Sequence, residues 1–281
     1  MFMSNSYFED LKGKVCVITG GGGVIGSSLA LGLSEIGLEV AIIDYKKDRC
    51  DACAKKLSSE IGKQITCIVA NVLRKDDLIQ GKNLINEKLG KINILINAAG
   101  GNAPEATTSM EFASMQNLNQ SFLGLDMKGF QSVFDLNLMG TILPIMVFTE
   151  DMIDKGGIIL NISSLSAFKP LTKVPAYSAA KSAINNLTQW LAVHFAKVNI
   201  RVNAIAPGFL LTKQNRFLLI NEKNNELTER GSKIIAHTPM ARFGNPEDLL
   251  GAVFFLISDM SKFVTGTVVP VDGGFDAYSG V

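Results

Sequence analysis

Short runs of β-branched and aliphatic residues alternate with longer stretches of helical periodicity along the chain, the pattern that builds βαβ units and a parallel sheet. Val15-Cys16-Val17-Ile18 opens it as a first strand. A glycine turn follows, then a helix over 27–36 closed by Gly37, then a second strand over 39–43 ending at Asp44. Apolar runs at 65–70, 92–96, 158–162, 201–205 and 267–271 complete seven predicted strands, with helical segments near 48–61, 75–89, 128–152, 176–197 and 246–259. The expectation is an α/β fold: a doubly wound parallel sheet of about seven strands with helices on both faces. No internal repeat or linker appears, so residues 1–281 read as one domain. Two polar excursions, at 101–126 and 212–244, interrupt the alternation, and loops of that length in a compact domain are usually functional or disordered.

Composition narrows the function. With 47% hydrophobic and 19% charged residues, the chain is neither disordered nor a coiled coil, and a net charge of +1 offers no field for gathering nucleic acid. Small-molecule chemistry is the expectation. No run of about 18 uncharged apolar residues is evident, and MFMSNSYFEDLKGK carries charges where a signal peptide needs an apolar stretch. A cytoplasmic protein without nucleic-acid or membrane partners is expected. Cys16 and Cys67 lie in apolar runs, and the Cys50/Cys53 CxxC lacks a second pair or a nearby His. Neither a disulfide framework nor a metal site is expected.

The turn after the first strand reads Thr19-Gly20-Gly21-Gly22-Gly23-Val24-Ile25-Gly26, with Gly21, Gly23 and Gly26 in G-x-G-x-x-G register. Glycines let backbone approach a pyrophosphate, and the following helix presents free N–H groups and its positive end to that anion. Asp44 ends strand two, 24 residues after Gly20, where a carboxylate accepts hydrogen bonds from both adenosine ribose hydroxyls and repels a 2′-phosphate. No Arg sits beside the glycine turn, although Lys46 and Lys47 follow Asp44. NAD(H) is therefore favoured over NADP(H).

Tyr177 and Lys181, four residues apart in AYSAAKSAINNL, share one helix face. A tyrosine is a poor acid–base group near neutrality, and a neighbouring ammonium favours its phenolate. An apolar strand ending in Asn161-Ile162-Ser163-Ser164 precedes the pair, with Tyr177 following 13 residues after Ser164. With TGGGGVIG, Asp44, Asn97-Ala98-Ala99-Gly100, Asn137 in FDLNLMG, Pro207-Gly208 with Thr212, and VDGG near the end, the sequence resembles the short-chain dehydrogenase/reductase family over nearly its whole length.

That resemblance implies a Rossmann-type fold and an NAD(H)-dependent oxidoreductase. Ser164 would hold the substrate oxygen, Tyr177 would donate or accept the proton, Lys181 would bind the nicotinamide ribose and lower the tyrosine pKa, and Asn137 would position a water. Cofactor contacts are expected from Gly20, Gly22, Gly23, Val24, Ile25, Gly26, Asp44, Asn71, Val72, Asn97, Ala98, Ala99, Tyr177, Lys181, Pro207, Gly208, Leu210 and Thr212. Two positions depart from the family pattern: Val24 stands where a glycine is usual, and Asn71 stands where an acid is common. Three preceding glycines still supply the bend, and an Asn amide can still donate to adenine.

Within the family the likeness extends to the D-mannonate oxidoreductases (fructuronate reductases), through AGGNAPEATT, FLGLDMKGFQSVFDLNLMGT, SAFKPLTKVPAYSAAKSAINNLTQWLAVHFA, PGFLLTKQNRFLL and VDGGFDAYSGV. A hexuronate needs a carboxylate anchor and hydroxyl partners. Lys213, Gln214, Asn215 and Arg216 follow Thr212, and Arg pairs with a carboxylate through two parallel hydrogen bonds. Asn102, Ser164, Ser166 and Lys169 are further substrate candidates. His237 reads as a structural loop residue and His194 as a helix-packing one, while Trp190, Leu191 and Phe195 suggest an apolar stripe for an oligomer interface. The family resemblance implies a homotetramer. The rival readings are a gluconate or polyol dehydrogenase of the same family, and a non-catalytic NAD-binding regulatory or scaffold protein.

Overall fold

The computed structural model describes residues 5–213 and 215–280. Seven strands form one parallel sheet: β1 (Val15–Thr19), β2 (Glu39–Asp44), β3 (Thr66–Val69), β4 (Ile92–Asn97), β5 (Gly157–Ile162), β6 (Ile200–Pro207) and β7 (Val268–Val271). Their order is β3-β2-β1-β4-β5-β6-β7, so the connection reverses direction between β1 and β4. In open α/β sheets the crevice outside the strand C-termini at that reversal is where ligands bind. Val15 pairs with Glu39 on one side and Ile92 on the other, and Thr19 with Ile43 and Asn97.

Strand periodicity divides the core into two layers. Cys16, Ile18, Val40 and Ile42 face α1 (Val24–Glu35), α2 (Lys47–Ile61) and α8 (Leu250–Ile257). Val15, Val17, Ala41 and Ile43 face α3 (Lys75–Lys88), α4 (Met127–Phe148) and α5 (Pro175–Phe195). Both faces are covered, which is why these strands read as continuous apolar runs. Phe148 of α4 is fully buried, and truncation of such a side chain to Ala typically costs about 3–5 kcal/mol.

Three expectations are revised. Helix α1 begins at Val24, not 27, so Val24, Ile25 and Gly26 form its first turn. The excursion at 212–244 carries two short helices, α6 (Arg216–Leu219) and α7 (Glu229–Ala236), and that at 101–126 carries short 3-10 turns at Pro104–Ala106, Leu118–Gln120 and Phe122–Gly124. Their few apolar anchors, among them Leu219 and Ile234, are too sparse to give a clear helical period. Cys50 and Cys67 form a disulfide, with Cα atoms 5.9 Å apart; strand spacing brings the first turn of α2 over β3, a proximity that 17 residues of separation conceal. Among the described residues Met127–Met152 is a helical stretch long and apolar enough to cross a membrane, although Lys128, Asp135, Glu150 and Asp151 break it short of an uncharged 18-residue run and half of its most apolar 18 residues are buried inside the domain.

Candidate active site

The glycine turn is shaped by close approach. Gly20 adopts φ +65°, and a Cβ there would lie 2.8 Å from the Ala99 Cα. At Gly26 a Cβ would lie 2.4 Å from the Gly20 carbonyl oxygen. Helix α1 therefore packs directly on the turn, with its N-terminus opening into a cavity of about 450 Å3 at the β1/β4 reversal. Ligand pockets commonly measure about 300–1,000 Å3.

Of the residues expected to contact a cofactor, Gly20, Gly23, Val24, Ile25, Gly26, Asp44, Asn71, Val72, Ala98, Ala99 and Thr212 line this cavity. The other positions play different parts. Gly22 packs on Asp44, where a Cβ would approach Oδ2 to 2.8 Å. Asn97 is buried in β4 and donates to Asn161 Oδ1 at 2.9 Å. Gly208 packs on Asp272, leaving no room for a side chain, and its amide continues the ladder from Pro207 by donating to Val271 O at 2.9 Å. Leu210 lines a separate cavity with Thr238 and Asp272. Asn71 accepts from Leu73 N at 3.0 Å through Oδ1, which leaves its amide nitrogen as the donor end.

The sequence reading missed Tyr45, Arg49, Gly100, Gly101 and Ser132 along the same wall. Arg49 matters most. It sits on the first turn of α2 and reaches back to Asp44 Oδ1 at 2.7 Å. The signal was a cation five residues after the strand-end acid, close in space although remote from the glycine turn.

Beyond β5, Ser164 begins a short turn and accepts from Ser166 N at 3.2 Å and from Ser166 Oγ at 3.0 Å. Tyr177, on the first turns of α5, carries its phenol beside the Ser164 hydroxyl, which favours the ionised form. Lys181, one turn on, is buried and donates to Ile162 O at 2.8 Å. Its Nζ would lie 3.3 Å from a Cβ at Gly100, while Asn137 Oδ1 would lie 2.6 Å from the same atom. The four side chains thus gather at the ends of β4 and β5. Asn137 grips the chain after β4 from both sides: Nδ2 donates to Gly101 O at 2.7 Å, and Oδ1 accepts from Gly101 N at 3.2 Å.

The electrostatics correct one expectation. Burial pushes the Tyr177 phenol above its ordinary value, and the Ser164 hydroxyl only partly opposes this. Burial also lowers Lys181 to about 8. Desolvation penalises each charged form and dominates both shifts.

The substrate candidates separate clearly. Asn102 lines the cavity and donates to Thr107 Oγ1 at 2.7 Å. Ser166 is buried against Ser164. Lys169 is exposed and holds the C-terminal segment through Asp276 O and through Tyr278 O at 3.2 Å. Asn215 spends its amide on the loop, accepting from Thr212 N at 2.8 Å and donating to Leu210 O at 2.8 Å. Arg216 is exposed and donates to Asn225 Oδ1 at 3.1 Å. Lys213 is exposed, and Gln214 lies outside the described residues. His237 closes α7 through Lys233 O at 2.8 Å. Leu191 is buried and Phe195 packs on the core, so the outer face of α5 is instead formed by exposed Trp190 and Val193, with Trp190 stacked on His194 at 4.7 Å. Turning by about 100° per residue, a helix puts positions 191 and 195 on the face opposite 190 and 193.

A family model described as enoyl-(acyl carrier protein) reductase matches residues 22–276. The chain belongs to the short-chain dehydrogenase/reductase family. It is an oxidoreductase of the kind that acts on CH–OH groups. An uncharacterised oxidoreductase of Bacillus subtilis, UxuB, is 48% identical over 275 residues, covering 97% of this chain and 98% of its own length. A crystal structure with bound NAD, provisionally named a D-mannonate oxidoreductase from Haemophilus influenzae, superposes with a TM-score of 0.91 at 48% identity, covering 96% of this chain and 98% of that one. A 2-dehydro-3-deoxy-D-gluconate 5-dehydrogenase of Formosa agariphila is 32% identical over 274 residues, 96% of each chain.

Proposed function

We propose that this enzyme interconverts a keto sugar acid and its hydroxy acid with NAD(H), the pair being D-fructuronate and D-mannonate. The observation that carries the substrate is the 48% identity, over nearly the full length, to the NAD-bound structure provisionally named for D-mannonate. The cofactor is supported independently. A dinucleotide fits the cavity lined by Gly20, Gly23, Gly26 and Asp44, with the pyrophosphate at the α1 N-terminus and the adenosine ribose at Asp44.

When bound, NADH supplies the hydride that reduces the substrate carbonyl. The remaining work belongs to the chain. Ser164 holds the carbonyl oxygen, oriented by its two contacts to Ser166. Tyr177 delivers the proton that the developing alkoxide needs, and Lys181 binds the nicotinamide ribose hydroxyls. Occupied by that polar ligand, the lysine carries its charge beside the tyrosine and lowers the phenol's working pKa. Asn137 fixes the strand-end loop at Gly101 and holds the water through which the proton is replaced. Hydroxyl donors aimed at developing charge are the economical design for this reaction.

The domain spans residues 1–281, and the excursions at 101–126 and 212–244 build the substrate pocket over the nicotinamide, with Asn102 and Lys213 as polar partners of the sugar acid. The enzyme works in the cytoplasm as a homotetramer, a reading supported by the exposed Trp190 and Val193 on α5. A second reading, oxidation of a gluconate-type substrate, is favoured by the 32% identity to the Formosa enzyme. The deciding experiment follows NADH oxidation by the purified protein with D-fructuronate and 5-keto-D-gluconate, and NAD+ reduction with 2-dehydro-3-deoxy-D-gluconate. Turnover with fructuronate alone is expected; activity confined to the gluconate derivatives would transfer the assignment to the second reading.

A further inference from the structure

Arg49 occupies the ribose end of the cavity. Its Nε donates to Asp44 Oδ2 at 3.0 Å and its Nη2 to Asp44 Oδ1 at 2.7 Å. Both carboxylate oxygens that a ribose diol would use are thus already held by one guanidinium. The Asp44 side chain has no solvent exposure, whereas that of Arg49 keeps 37%. The pair rests on the glycine turn, since a Cβ at Gly22 would lie 2.8 Å from Asp44 Oδ2 and 3.0 Å from Arg49 Cγ. Tyr45 flanks it, its ring centroid 5.4 Å from the Arg49 guanidinium carbon and 5.5 Å from Lys46 Nζ.

We propose that Arg49 is a cofactor-specificity residue that lets the site accept a 2′-phosphorylated dinucleotide alongside the unphosphorylated one. The inference rests on the dinucleotide reading above. A lone buried carboxylate would repel a 2′-phosphate strongly, but Asp44 is neutralised by its partner. Asp44 Oδ1 also accepts from Lys46 N at 3.1 Å, which together with the Arg49 contact fills its two acceptor sites, so a ribose diol that binds both oxygens displaces the guanidinium from Oδ1, and that displacement opposes NAD(H) binding. The same movement presents a planar fork of N–H donors to a phosphate, which it can hold in two parallel hydrogen bonds. Its partial exposure gives Arg49 room to turn, and Lys46 beside it adds a second positive charge. Asp44 and Arg49 therefore act in opposite senses on one discrimination.

The test measures NADH and NADPH dissociation constants with the full-length protein, by nicotinamide fluorescence and without sugar acid. In Arg49→Gln, NADPH is expected to weaken about tenfold or more while NADH holds or tightens, so the preference for NADH widens by at least about tenfold. Arg49→Lys keeps the charge without the fork, and its preference is expected to widen by about threefold or more; it carries the comparison if the glutamine variant does not fold. An unchanged ratio, or a proportional loss of both affinities, overturns the inference while leaving the dinucleotide reading intact. Failure of the wild type to bind either dinucleotide overturns both.

Discussion

The Lys181 ammonium lies 5.6 Å from the centroid of the Tyr177 ring, one helical turn away on α5, and burial moves the two groups' proton affinities in opposite directions. The phenol holds its proton more tightly than an exposed tyrosine, and the lysine releases its own more easily. A protonated phenol beside the Ser164 hydroxyl is the arrangement a carbonyl reduction starts from. Tyr177→Phe removes the transferable proton while keeping the ring. Turnover is expected to fall by about 10²–10⁴-fold, with NADH affinity changed less than about threefold. Stopped-flow turnover and fluorescence binding on one preparation separate the two, and substantial residual turnover would remove tyrosine from its role.

Lys181 also links stability to pH. Its folded value of about 8 lies below the ordinary 10.5. Between those limits the unfolded chain binds a proton that the folded chain has released, so stability rises with pH across the window. Below about pH 8 both states are protonated and the cost of burying the ammonium is fully present. Lys181→Met is therefore expected to be more stable than wild type at pH 7, by on the order of 1–3 kcal/mol. The difference should shrink toward pH 10. Urea melts at pH 7 and pH 9.5 check this, and a constant difference would show that the penalty is not ionisation.

The glycine turn yields a contrast between neighbouring positions. At Gly26 an added Cβ would meet the Gly20 carbonyl at 2.4 Å, whereas at Gly23 the same oxygen would be 3.1 Å away. Gly23 is the N-cap of α1 with φ −77°, a conformation Ala adopts freely. Gly26→Ala is expected to cost about 2 kcal/mol or more and to weaken NADH binding, while Gly23→Ala costs about 1 kcal/mol or less. Thermal melts of the two variants, followed by NADH titration, provide the comparison.

What the sequence made legible follows from the range over which each signal acts. The seven strands and the glycine turn are local: β-branched runs and consecutive glycines declare themselves within a few residues. Tyr177 and Lys181 were readable because a helix converts a spacing of four into a shared face. Arg49 was missed because its importance depends on the first turn of α2 folding back over the end of β2. The Cys50–Cys67 bridge depends likewise on strand order, and the substrate candidates failed to separate because nothing in LTKQNR distinguishes Asn215, whose amide clamps its own loop, from its neighbours. Helix α7 hid in a polar stretch because only Gly231 and Ile234 are buried along it.

A buried polar chain fastens the sheet beneath the site. Asn97 of β4 donates to Asn161 Oδ1 of β5 at 2.9 Å, Asn161 Nδ2 donates to Thr188 Oγ1 of α5 at 2.9 Å, and the Thr188 hydroxyl donates to Ile184 O at 2.8 Å. Asn161 and Thr188 are fully buried and Asn97 nearly so, so no water is at hand to replace a lost partner. The chain ties the C-terminal ends of two central strands to the helix that carries Tyr177 and Lys181. Thr188→Val keeps the side-chain shape but orphans the Asn161 amide, at an expected cost of about 1–3 kcal/mol. For a domain of this size that lowers Tm by about 2–4 °C per kcal/mol. Thr188→Ser, which restores the acceptor, should recover most of the loss. If serine and valine destabilise equally, lost methyl packing accounts for the effect and the polar chain does not.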